Sequence, residues 1–493
     1  MRVLVSGGTG VVGTGTVDAL LARGHVVRLL SRHASRDVRR WPAGVEARVG
    51  DVSSAESIAG AAEGCDVVVH LAGIVRESPP DITFARVNVE GTRHLLAEAE
   101  RAGVLRFVHV SSLGAERGES EYHRSKRAAE ALVRQFPREW IVVRPGNVYG
   151  PGDDQISLLL RMVRTLPAVP VLGDGRQPIQ PIWHEDLAAA LAEAAGRDDL
   201  AGRTLDVAGG DVTSQRDLLD RLERITALEP LRVPLPDVAV TVGIRAMELV
   251  GVSVPFTDDQ MTMLREGSAL PDPAQNALTS VLGVTPTPLD RGLELLADAQ
   301  AEQTPRAGVG ALTRKRYWVD VAGSRMTPDD VVAHLRTHFD QLTPGYVGVA
   351  VEPGTPTVLD LGETITLSLP MRGHIQVRVA ELEARRITLV TLAGHPLAAT
   401  LRFSSAYEGE LLRFEISIYQ RASNVVDLVL MRAIGDLLQG QTWESMALNV
   451  ARATGGELRG GVRHESQTLH GDEAKSVEEW AEALVAKGRG KAE

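Results

Sequence analysis

Short apolar runs rich in β-branched residues recur between helical patterns through about the first 200 residues of the chain. The runs are RVLVSG (2–7), VVRLLS (26–31), VEARVGD (45–51), CDVVVHLA (65–72), LRFVHVSS (105–112) and WIVVRP (140–145). They are apolar almost throughout, as expected of strands buried on both faces of a parallel sheet. Helical stretches such as 13–24 and 88–103 lie between them. This alternation predicts an α/β fold with a doubly wound parallel sheet.

The pattern changes after residue 300, which indicates a second domain. A chain of 493 residues is long for one domain. Residues 374–423 read as successive strands of an antiparallel sheet, and the long helical run 424–456 follows them. The predicted organisation is an α/β domain over 1–300, a linker over 301–310, an α+β domain over 311–456 and a polar tail over 457–493. Part of the tail, 476–487, could form a surface helix.

Charge and cysteine content exclude several classes of protein. The formal net charge of −11 argues against a general nucleic-acid binder, which needs a basic surface. Cys65 is the single cysteine, so the chain has neither an internal disulfide nor a cysteine metal cluster. The 13 histidines form no metal-ligand motif, and we expect no metal. The start MRVLVSGG lacks a signal-peptide layout, and the apolar stretch 236–256 contains Arg245 and Glu248. We therefore expect a soluble cytoplasmic protein.

A glycine-rich turn, SGGTGVVG (6–13), directly follows the first predicted strand and opens a helix. Gly7 would make the tight turn, Gly10 would let the backbone approach a pyrophosphate, and Gly13 would pack helix against strand. The N–H groups at the start of the helix would bind the phosphates. The order of these elements predicts a dinucleotide site. The alternative is a glycine turn in an α/β protein that has lost its ligand.

The end of the second strand bears on the choice between NADH and NADPH. Acidic residues at this position hold the ribose hydroxyls, whereas basic residues accommodate a 2′-phosphate. The strand ends in Ser31 and Arg32 with no acid at its tip, which favours NADP(H). Three more arginines follow, Arg36, Arg39 and Arg40. The alternative is that these arginines form a solvated helix face. Asp51, after the third strand, is placed to reach the adenine amino group.

The stretch SSLGAERGESEYHRSKRAAE (111–130) contains a serine, a tyrosine and a lysine suited to proton transfer. Tyr122 and Lys126 are four residues apart and would share one face of a helix. A nearby ammonium would stabilise a phenolate, and the hydroxyl of Ser112 could hydrogen-bond developing charge. The alternative is an ordinary helix start with a solvent-facing lysine.

These motifs together resemble the short-chain dehydrogenase/reductase superfamily over about residues 1–300. The markers are SGGTGVVG, GDV (50–52), HLAG (70–73), NVEGT (88–92), VSS (110–112), YHRSK (122–126) and RPGNVYGPGD (144–153). The chain is most similar to the extended and atypical, NAD-dependent epimerase/dehydratase-like branches with their Rossmann fold. Only LGAERGESE (113–121) separates the serine from the tyrosine, whereas the extended enzymes usually have a longer segment there, so this spacing resembles the atypical branch. Within that branch the N-terminal region resembles the Rossmann-type accessory subunit of respiratory complex I, and the later stretches 229–243, 256–264 and 282–293 add to the likeness.

The resemblance implies specific roles for residues of this chain. Tyr122 would donate or accept the proton, Lys126 would hold the ribose and lower the pKa of the phenol, and Ser112 would bind the substrate carbonyl. The implied cofactor contacts, beside Gly7, Gly10, Gly13, Ser31, Arg32, Asp51, Tyr122 and Lys126, are Thr9, Val11, Val12, Val52, Leu71, Ala72, Gly73, Asn88, Ser111, Pro145, Asn147 and Val148.

The second domain resembles the START-like helix-grip superfamily, in which a curved sheet wraps a long helix around an apolar cavity. The stretch 390–422 carries most of this likeness. His395, Arg402 and Arg421 are candidate polar groups for a lipid-like ligand. The alternative, which is favoured for each residue taken singly, is that they face solvent on alternating strands.

Three functions remain open from the sequence. The leading one is an NADP(H)-dependent oxidoreductase or isomerase-like enzyme acting on a hydrophobic carbonyl or hydroxyl compound, as the apolar stretch 158–173 suggests. The second is a non-catalytic nucleotide-binding protein that assembles with a respiratory complex or a membrane surface. The third is a lipid carrier. The substrate and the oligomeric state are not predicted.

Overall fold

Parallel strands form the large sheet of the first half of the chain, and antiparallel strands form that of the second half. The structure is a computed structural model that describes residues 1–41, 44–165, 168–226, 228–235, 258–299, 302–344, 348–350, 358–369, 373–393, 395–423 and 436–492. The chain divides into two compact units, the first made of residues 1–158, 170–222 and 232–298, the second of residues 159–169, 223–231 and 299–493.

The first unit is built on a seven-stranded parallel sheet. The strands up to residue 298 are β1 (Arg2–Ser6), β2 (Val26–Ser31), β3 (Val45–Val49), β4 (Val67–His70), β5 (Arg106–Val110), β6 (Glu139–Pro145), β7 (Val148–Tyr149), β8 (Ala168–Leu172), β9 (Ile182–Trp183), β10 (Arg203–Val207) and β11 (Leu231–Leu235). The sheet has the order β10-β6-β5-β4-β1-β2-β3, while β7 pairs with β9 and β8 with β11. Val3 of the interior strand β1 pairs with Val27 of β2 on one side and with Val67 of β4 on the other.

Helices cover both faces of this sheet. The helices up to residue 298 are α1 (Val11–Ala22), α2 (Ala34–Asp37), α3 (Gly91–Arg101), α4 (Glu121–Val133), α5 (Ile156–Thr165), α6 (His184–Gly196), α7 (Gln215–Thr226), α8 (Asp258–Glu266), α9 (Ala277–Ser280) and α10 (Leu289–Asp298). Val3 and Val5 pack with side chains of α1 and α6, whereas Leu4 packs with those of α3 on the opposite face. Because successive side chains of a strand point to opposite faces, apolar runs are buried on both sides. The predicted doubly wound parallel sheet is confirmed.

The second unit contains a nine-stranded antiparallel sheet with the order β13-β14-β15-β16-β17-β18-β12-β19, in which β20 also pairs with β12. Its strands are β12 (Val309–Ala322), β13 (Gly348–Ala350), β14 (Thr364–Leu369), β15 (Gly373–Glu383), β16 (Arg386–Thr391), β17 (Leu397–Glu408), β18 (Leu411–Ala422), β19 (Glu457–Leu458) and β20 (Arg463–Leu469). Its helices are α11 (Pro328–Thr337), α12 (Phe339–Leu342), α13 (Asp436–Ala453) and α14 (Gly471–Ala492). The predicted antiparallel domain is present, and its membership of the START-like superfamily stays a prediction.

Helices pack on both faces of the antiparallel sheet. Leu335 of α11 and Met446 of α13 belong to the same buried cluster as Phe403 of β17. The neighbouring Arg402 points to the other face, where its guanidinium lies 4.4 Å from the ring centroid of Trp480 in α14. The described part of this unit is therefore a three-layer arrangement of helix, sheet and helix.

The structure differs from the composition of the chain at two predicted boundaries. Residues 457–493, predicted as a polar tail, form β19, β20 and α14 and complete the sheet. The exposed side chains of β20 give no apolar signal, because this edge strand is held by backbone pairing with β12. The predicted linker 301–310 already contains the start of β12 at Val309. Gln303 also exchanges hydrogen bonds with Thr391 of β16.

Two predicted segments lie partly or wholly outside the described residues: the apolar stretch 236–256 and the first part, 424–435, of the helical run 424–456. Among the described helices, none combines the length and the apolar composition needed to cross a bilayer. Within the same described ranges, no three His, Cys, Asp or Glu side chains group in a way that could hold a metal ion.

Candidate active site

The candidate site lies where the strand order of the parallel sheet reverses, beyond the carboxyl ends of β1 and β4. Crossovers leave this edge in opposite directions, which opens a crevice in doubly wound sheets. Two cavities share this edge. A larger one of about 990 Å³ reaches the ends of β2 and β3, and a smaller one of about 340 Å³ reaches the ends of β5 and β6.

The turn between β1 and α1 requires glycine at two positions, Gly7 and Gly13, where the backbone is too close for a side chain. Gly7 has a φ of +76°, and a Cβ there would lie 2.6 Å from the backbone nitrogen of Ala72. A Cβ on Gly13 would lie 2.2 Å from the carbonyl oxygen of Gly7, whereas one on Gly10 would meet nothing closer than 3.5 Å. No side chain caps α1 at Gly10, and its first turn contains no acid. The positive end of this helix therefore suits a pyrophosphate.

The larger cavity contains an acidic residue that the sequence interpretation missed. Asp37 lines it together with Ser31, Arg32 and Arg36. The Ser31 hydroxyl donates to Asp37 Oδ2 at 2.6 Å, and the Arg36 guanidinium lies 3.2 Å from Asp37 Oδ1. Asp37 escaped notice because it lies six residues beyond the strand tip, and the turn of α2 returns its carboxylate to Ser31. Arg40 lines the same cavity.

Asp51 also lines the larger cavity, as predicted. Burial acts to raise the pKa of its carboxyl, but hydrogen bonds from Ser53 and the charges of Arg32 and Arg86 leave that pKa below its ordinary value. Asp51 is therefore an ionised acceptor at neutral pH, as an adenine amino group would require.

The smaller cavity brings together the three predicted proton-transfer residues, Ser112, Tyr122 and Lys126. Tyr122 and Lys126 lie on the first two turns of α4 and are 8% and 6% exposed. Lys126 Nζ donates to the carbonyl oxygen of Val110 at 3.0 Å and lies 5.9 Å from the centroid of the Tyr122 ring. The glycine turn lines the same cavity, so a dinucleotide held there would extend towards these groups.

Burial shifts the protonation of the tyrosine and the lysine in opposite directions. It raises the pKa of the Tyr122 phenol to about 12, although a hydrogen bond with Ser112 acts to lower it. Burial also lowers the pKa of the Lys126 ammonium to about 8, and the Glu130 charge opposes this shift. Both shifts follow from the cost of placing charge in a dry environment. At neutral pH the phenol is therefore a neutral proton donor beside a cation.

A buried carboxylate, that of Glu130, fixes the position of helix α4. Glu130, one turn after Lys126, is fully buried and accepts from the Ser111 hydroxyl at 2.6 Å. The Arg144 guanidinium donates to both of its carboxylate oxygens at 2.8 Å, and Arg134 donates at 2.6 Å. Glu130 thus ties α4 to the ends of β5 and β6. The sequence interpretation did not identify this residue.

The walls of the smaller cavity mix apolar and acidic side chains. Ile74, Val75 and Met263 contribute the apolar part, and Asp153 and Asp154 contribute the acidic part. The described lining includes none of the apolar stretch 158–173 from which we expected a hydrophobic substrate. The apolar wall comes instead from the loop after β4 and from α8.

The predicted cofactor residues line one or both cavities, with one exception. Those in the linings are Gly7, Thr9, Gly10, Val11, Val12, Gly13, Ser31, Arg32, Asp51, Val52, Leu71, Ala72, Gly73, Ser111, Tyr122, Lys126, Pro145, Asn147 and Val148. Asn88 is absent from both linings and is 2% exposed. Its side chain accepts from the Ile74 N–H at 2.8 Å and donates to the Ser125 hydroxyl at 3.0 Å. Asn88 therefore holds the loop after β4 against α4.

Each of the three polar candidates of the second unit has a protein partner within that unit. The His395 ring accepts from the backbone N–H of Leu397 at 2.9 Å. Arg402 donates to Glu381 at 3.0 Å, and Arg421 lies 2.7 Å from Glu478 of α14. These contacts within the unit account for the positions of the three side chains.

Comparison with known proteins agrees with the geometry of the first unit. Residues 3–208 match the model of the NAD dependent epimerase/dehydratase family. A ceramide reductase from Caulobacter vibrioides is 32% identical over 241 residues, which cover 48% of this chain and 74% of the relative. An uncharacterized protein from Mycobacterium tuberculosis is 26% identical over 428 residues, which cover 82% of this chain and 46% of the relative.

Among solved structures, a UDP-glucose 4-epimerase from Thermus thermophilus in complex with NAD is 25% identical. The match covers 60% of this chain and 98% of that chain, with a TM-score of 0.47. The family match and the glycine turn together support a nicotinamide dinucleotide as the cofactor. The chain therefore belongs to the NAD dependent epimerase/dehydratase family and is an NAD(P)-dependent oxidoreductase or epimerase-like enzyme.

Proposed function

We propose that the chain is an NADP(H)-dependent reductase that converts an apolar carbonyl compound into its alcohol. The observation that carries this proposal is that Ser112, Tyr122 and Lys126 line the same cavity as the glycine turn. A proton donor, a hydroxyl and a cation thus lie where a nicotinamide ring would follow from the phosphate position.

The proposed reaction uses the cofactor together with Ser112, Tyr122 and Lys126. When bound, the cofactor supplies a hydride from nicotinamide C4 to the carbonyl carbon. The hydroxyls of Ser112 and Tyr122 hydrogen-bond the carbonyl oxygen, and Tyr122 transfers its proton to that oxygen as the alcohol forms. The Lys126 ammonium and the Ser112 hydroxyl stabilise the phenolate that remains, which then regains a proton from water.

The protonated state of Tyr122 is the one that the proposed reduction requires. A phenol with a pKa of about 12 is protonated at neutral pH and can donate at once. Oxidation of an alcohol would require the same group to be ionised first.

For the cofactor we propose a preference for NADPH. Arg32, Arg36 and Arg40 line the larger cavity and could contact a 2′-phosphate. The carboxylate of Asp37, which would otherwise suit ribose hydroxyls, is already bound to Ser31 and Arg36.

For the substrate we propose a lipid-like carbonyl compound. Ile74, Val75 and Met263 give the smaller cavity an apolar wall, and the relative that covers nearly half of this chain is named a ceramide reductase.

For the second unit we propose a START-like helix-grip domain that binds an apolar ligand. The order of β14–β18 followed by the long helix α13 supports this assignment.

The function is tested by mixing the purified full-length chain and NADPH with a panel of carbonyl compounds. The panel contains long-chain ketones, steroid ketones, quinones and, as a polar control, short sugar aldehydes. We expect loss of NADPH absorbance with apolar members and little with the sugars. Binding of NADPH without reduction of any member would instead support a non-catalytic nucleotide-binding protein.

A further inference from the structure

The backbone at the start of α4 is held by a distant helix. The N–H groups of Glu121 and Tyr122 donate to the two carboxylate oxygens of Asp259, at 2.6 and 3.2 Å. The preceding N–H groups, of Glu119 and Ser120, donate to Glu266, the latter at 2.9 Å. Both acceptors lie on α8, more than 130 residues later in the chain.

The start of α4 is a favourable place for these carboxylates, because helix N-termini carry unpaired N–H donors and partial positive charge. Carboxylates are the acceptors that such a terminus favours most. The local cap, in which Ser120 Oγ accepts from the His123 N–H at 3.2 Å, satisfies one donor, and α8 satisfies the four before it. The first turn of α4 therefore depends on α8 for its backbone partners.

A second contact links the same carboxylate to the loop after Ser112. Glu266 Oε2 lies within hydrogen-bond distance of His123 Nδ1. The His123 ring fills the space beside Gly114 and Gly118, where a Cβ would lie 2.2 and 2.4 Å from ring atoms. Glu266 thus fixes His123, and His123 shapes the loop that follows Ser112.

The same helix forms part of the substrate cavity. Met263 lies between Asp259 and Glu266 in the sequence and lines the cavity together with Tyr122. Helix α8 therefore holds the first turn of α4 and would also contact a substrate, through Met263.

We propose that Asp259 and Glu266 are positioning residues, which fix the Tyr122 hydroxyl relative to Ser112 and Lys126 by docking α8 on the first turn of α4. This inference rests on the proposed roles of Tyr122 and Ser112. It adds that proton transfer is competent only while α8 is docked.

The test compares the full-length wild type with Asp259→Asn, Glu266→Gln and the double variant. Glu294→Gln is the matched control, because its half-exposed carboxylate pairs with Arg291 on α10. Hydrogen exchange of the peptide containing residues 119–123 is measured with NADPH present. Affinity for NADPH, the thermal midpoint, and kcat and KM for the apolar ketone that the wild type reduces fastest are measured alongside.

We expect faster exchange over 119–123 in each α8 variant and a fall in kcat of about tenfold or more in the double variant, since small misplacements of reacting groups are costly. Affinity for NADPH should stay within about twofold, because the glycine turn and the arginines bind the phosphates. The control should match the wild type in all measurements. Unchanged exchange in the double variant would overturn the docking, and faster exchange with unchanged kcat would overturn the positioning role. Failure of the wild type to reduce any ketone would count against the proposed function, and the exchange result would still decide the docking.

Discussion

Burial gives Tyr122 and Lys126 their chemistry at the scale of single residues. The spacing of four predicted that both share one helix face, and both do line one cavity. Their shifted pKa values could not be read from the spacing, because neighbours from other elements exclude water. The Phe84 ring lies 5.9 Å from the Tyr122 ring, and a Cβ on Gly73 would lie 3.1 Å from Lys126 Nζ.

Tyr122→Phe tests the proton donor. It removes the hydroxyl and keeps the ring, so turnover should fall by about 100-fold or more, the usual contribution of a general acid. Affinity for NADPH, measured by calorimetric titration, should change little because the phenol does not contact phosphates. Lys126→Ala should weaken both turnover and binding. An unaltered rate in the Phe variant would show that Tyr122 is only a structural residue of α4.

Arg32 and Asp37 should tune cofactor preference in opposite directions. Arg32→Ala should weaken NADPH binding by about tenfold, the loss of one charged hydrogen bond, with little effect on NADH. Asp37→Asn removes a negative charge from the cavity and frees Arg36 from its pair, so it should increase the preference for NADPH. Calorimetric titration of both cofactors checks both variants. Equal affinities for NADH and NADPH in the wild type would contradict the proposed preference.

At the scale of elements, the candidate active site depends on helix α4. Its first turn is held by α8, and its third turn is tied through Glu130 to the ends of β5 and β6. Apolar runs predicted the strands well because burial on both faces leaves a direct signal in the sequence. The acidic contacts from α8 left no such signal, since they join residues that only the folded chain brings together. The polar edge strand β20 was not predicted either, since its pairing with the distant strand β12 also forms only in the folded chain.

Glu130→Gln should destabilise the chain by about 3 kcal/mol, because it removes the fully buried carboxylate that pairs with Arg144. Arg144 would keep only its longer contacts, with Glu116 at 3.4 Å and Asp206 at 3.8 Å. The control Glu90→Gln, whose exposed partner is Arg93, should change the free energy of unfolding by less than about 1 kcal/mol. Denaturant titration measures both variants. Equal stability of the two would show that the Glu130 pair contributes nothing.

Stability should also depend on pH through Glu130. Burial acts to raise the pKa of this carboxyl, but Arg144 and Ser111 hold it below the ordinary value of 4.5. A folded-state pKa below the unfolded one gives stability that is present above pH 4.5 and is lost as the pH falls further. The wild type should therefore lose stability below this pH more steeply than Glu130→Gln. Parallel stability curves for the two proteins would contradict this origin.

At the scale of the whole molecule, the chain joins a dinucleotide-binding unit to an antiparallel unit. The relative from Mycobacterium tuberculosis aligns over 82% of this chain, so the likeness extends beyond the first unit. The boundary between the units was hard to predict, because the segment around 301–310 has the composition of a linker although part of it packs on the second sheet. Glu302 there is 2.9 Å from Arg378 of β15.

The boundary can be tested with two fragments, 302–493 and 311–493. The longer fragment keeps the Glu302–Arg378 pair, the bonds between Gln303 and Thr391, and the start of β12. It should melt about 5 °C or more above the shorter one, as expected for loss of more than 1 kcal/mol. Identical thermal midpoints would restore the predicted boundary at 311.

A fatty-acid-like fluorescent dye added to the whole chain would test whether the second unit binds the proposed apolar ligand. No change in the fluorescence of the dye would contradict that proposal.

The central claim is that this chain transfers a hydride from NADPH to an apolar carbonyl compound while Tyr122 supplies the proton. The most direct measurement uses NADPH with deuterium in both hydrogen positions at nicotinamide C4 and follows the product of a long-chain ketone by mass spectrometry. We expect an alcohol with deuterium on its former carbonyl carbon, formed by the wild type and almost absent with Tyr122→Phe. An unlabelled alcohol, or the same amount of labelled alcohol from the Phe variant, would contradict the proposed reaction.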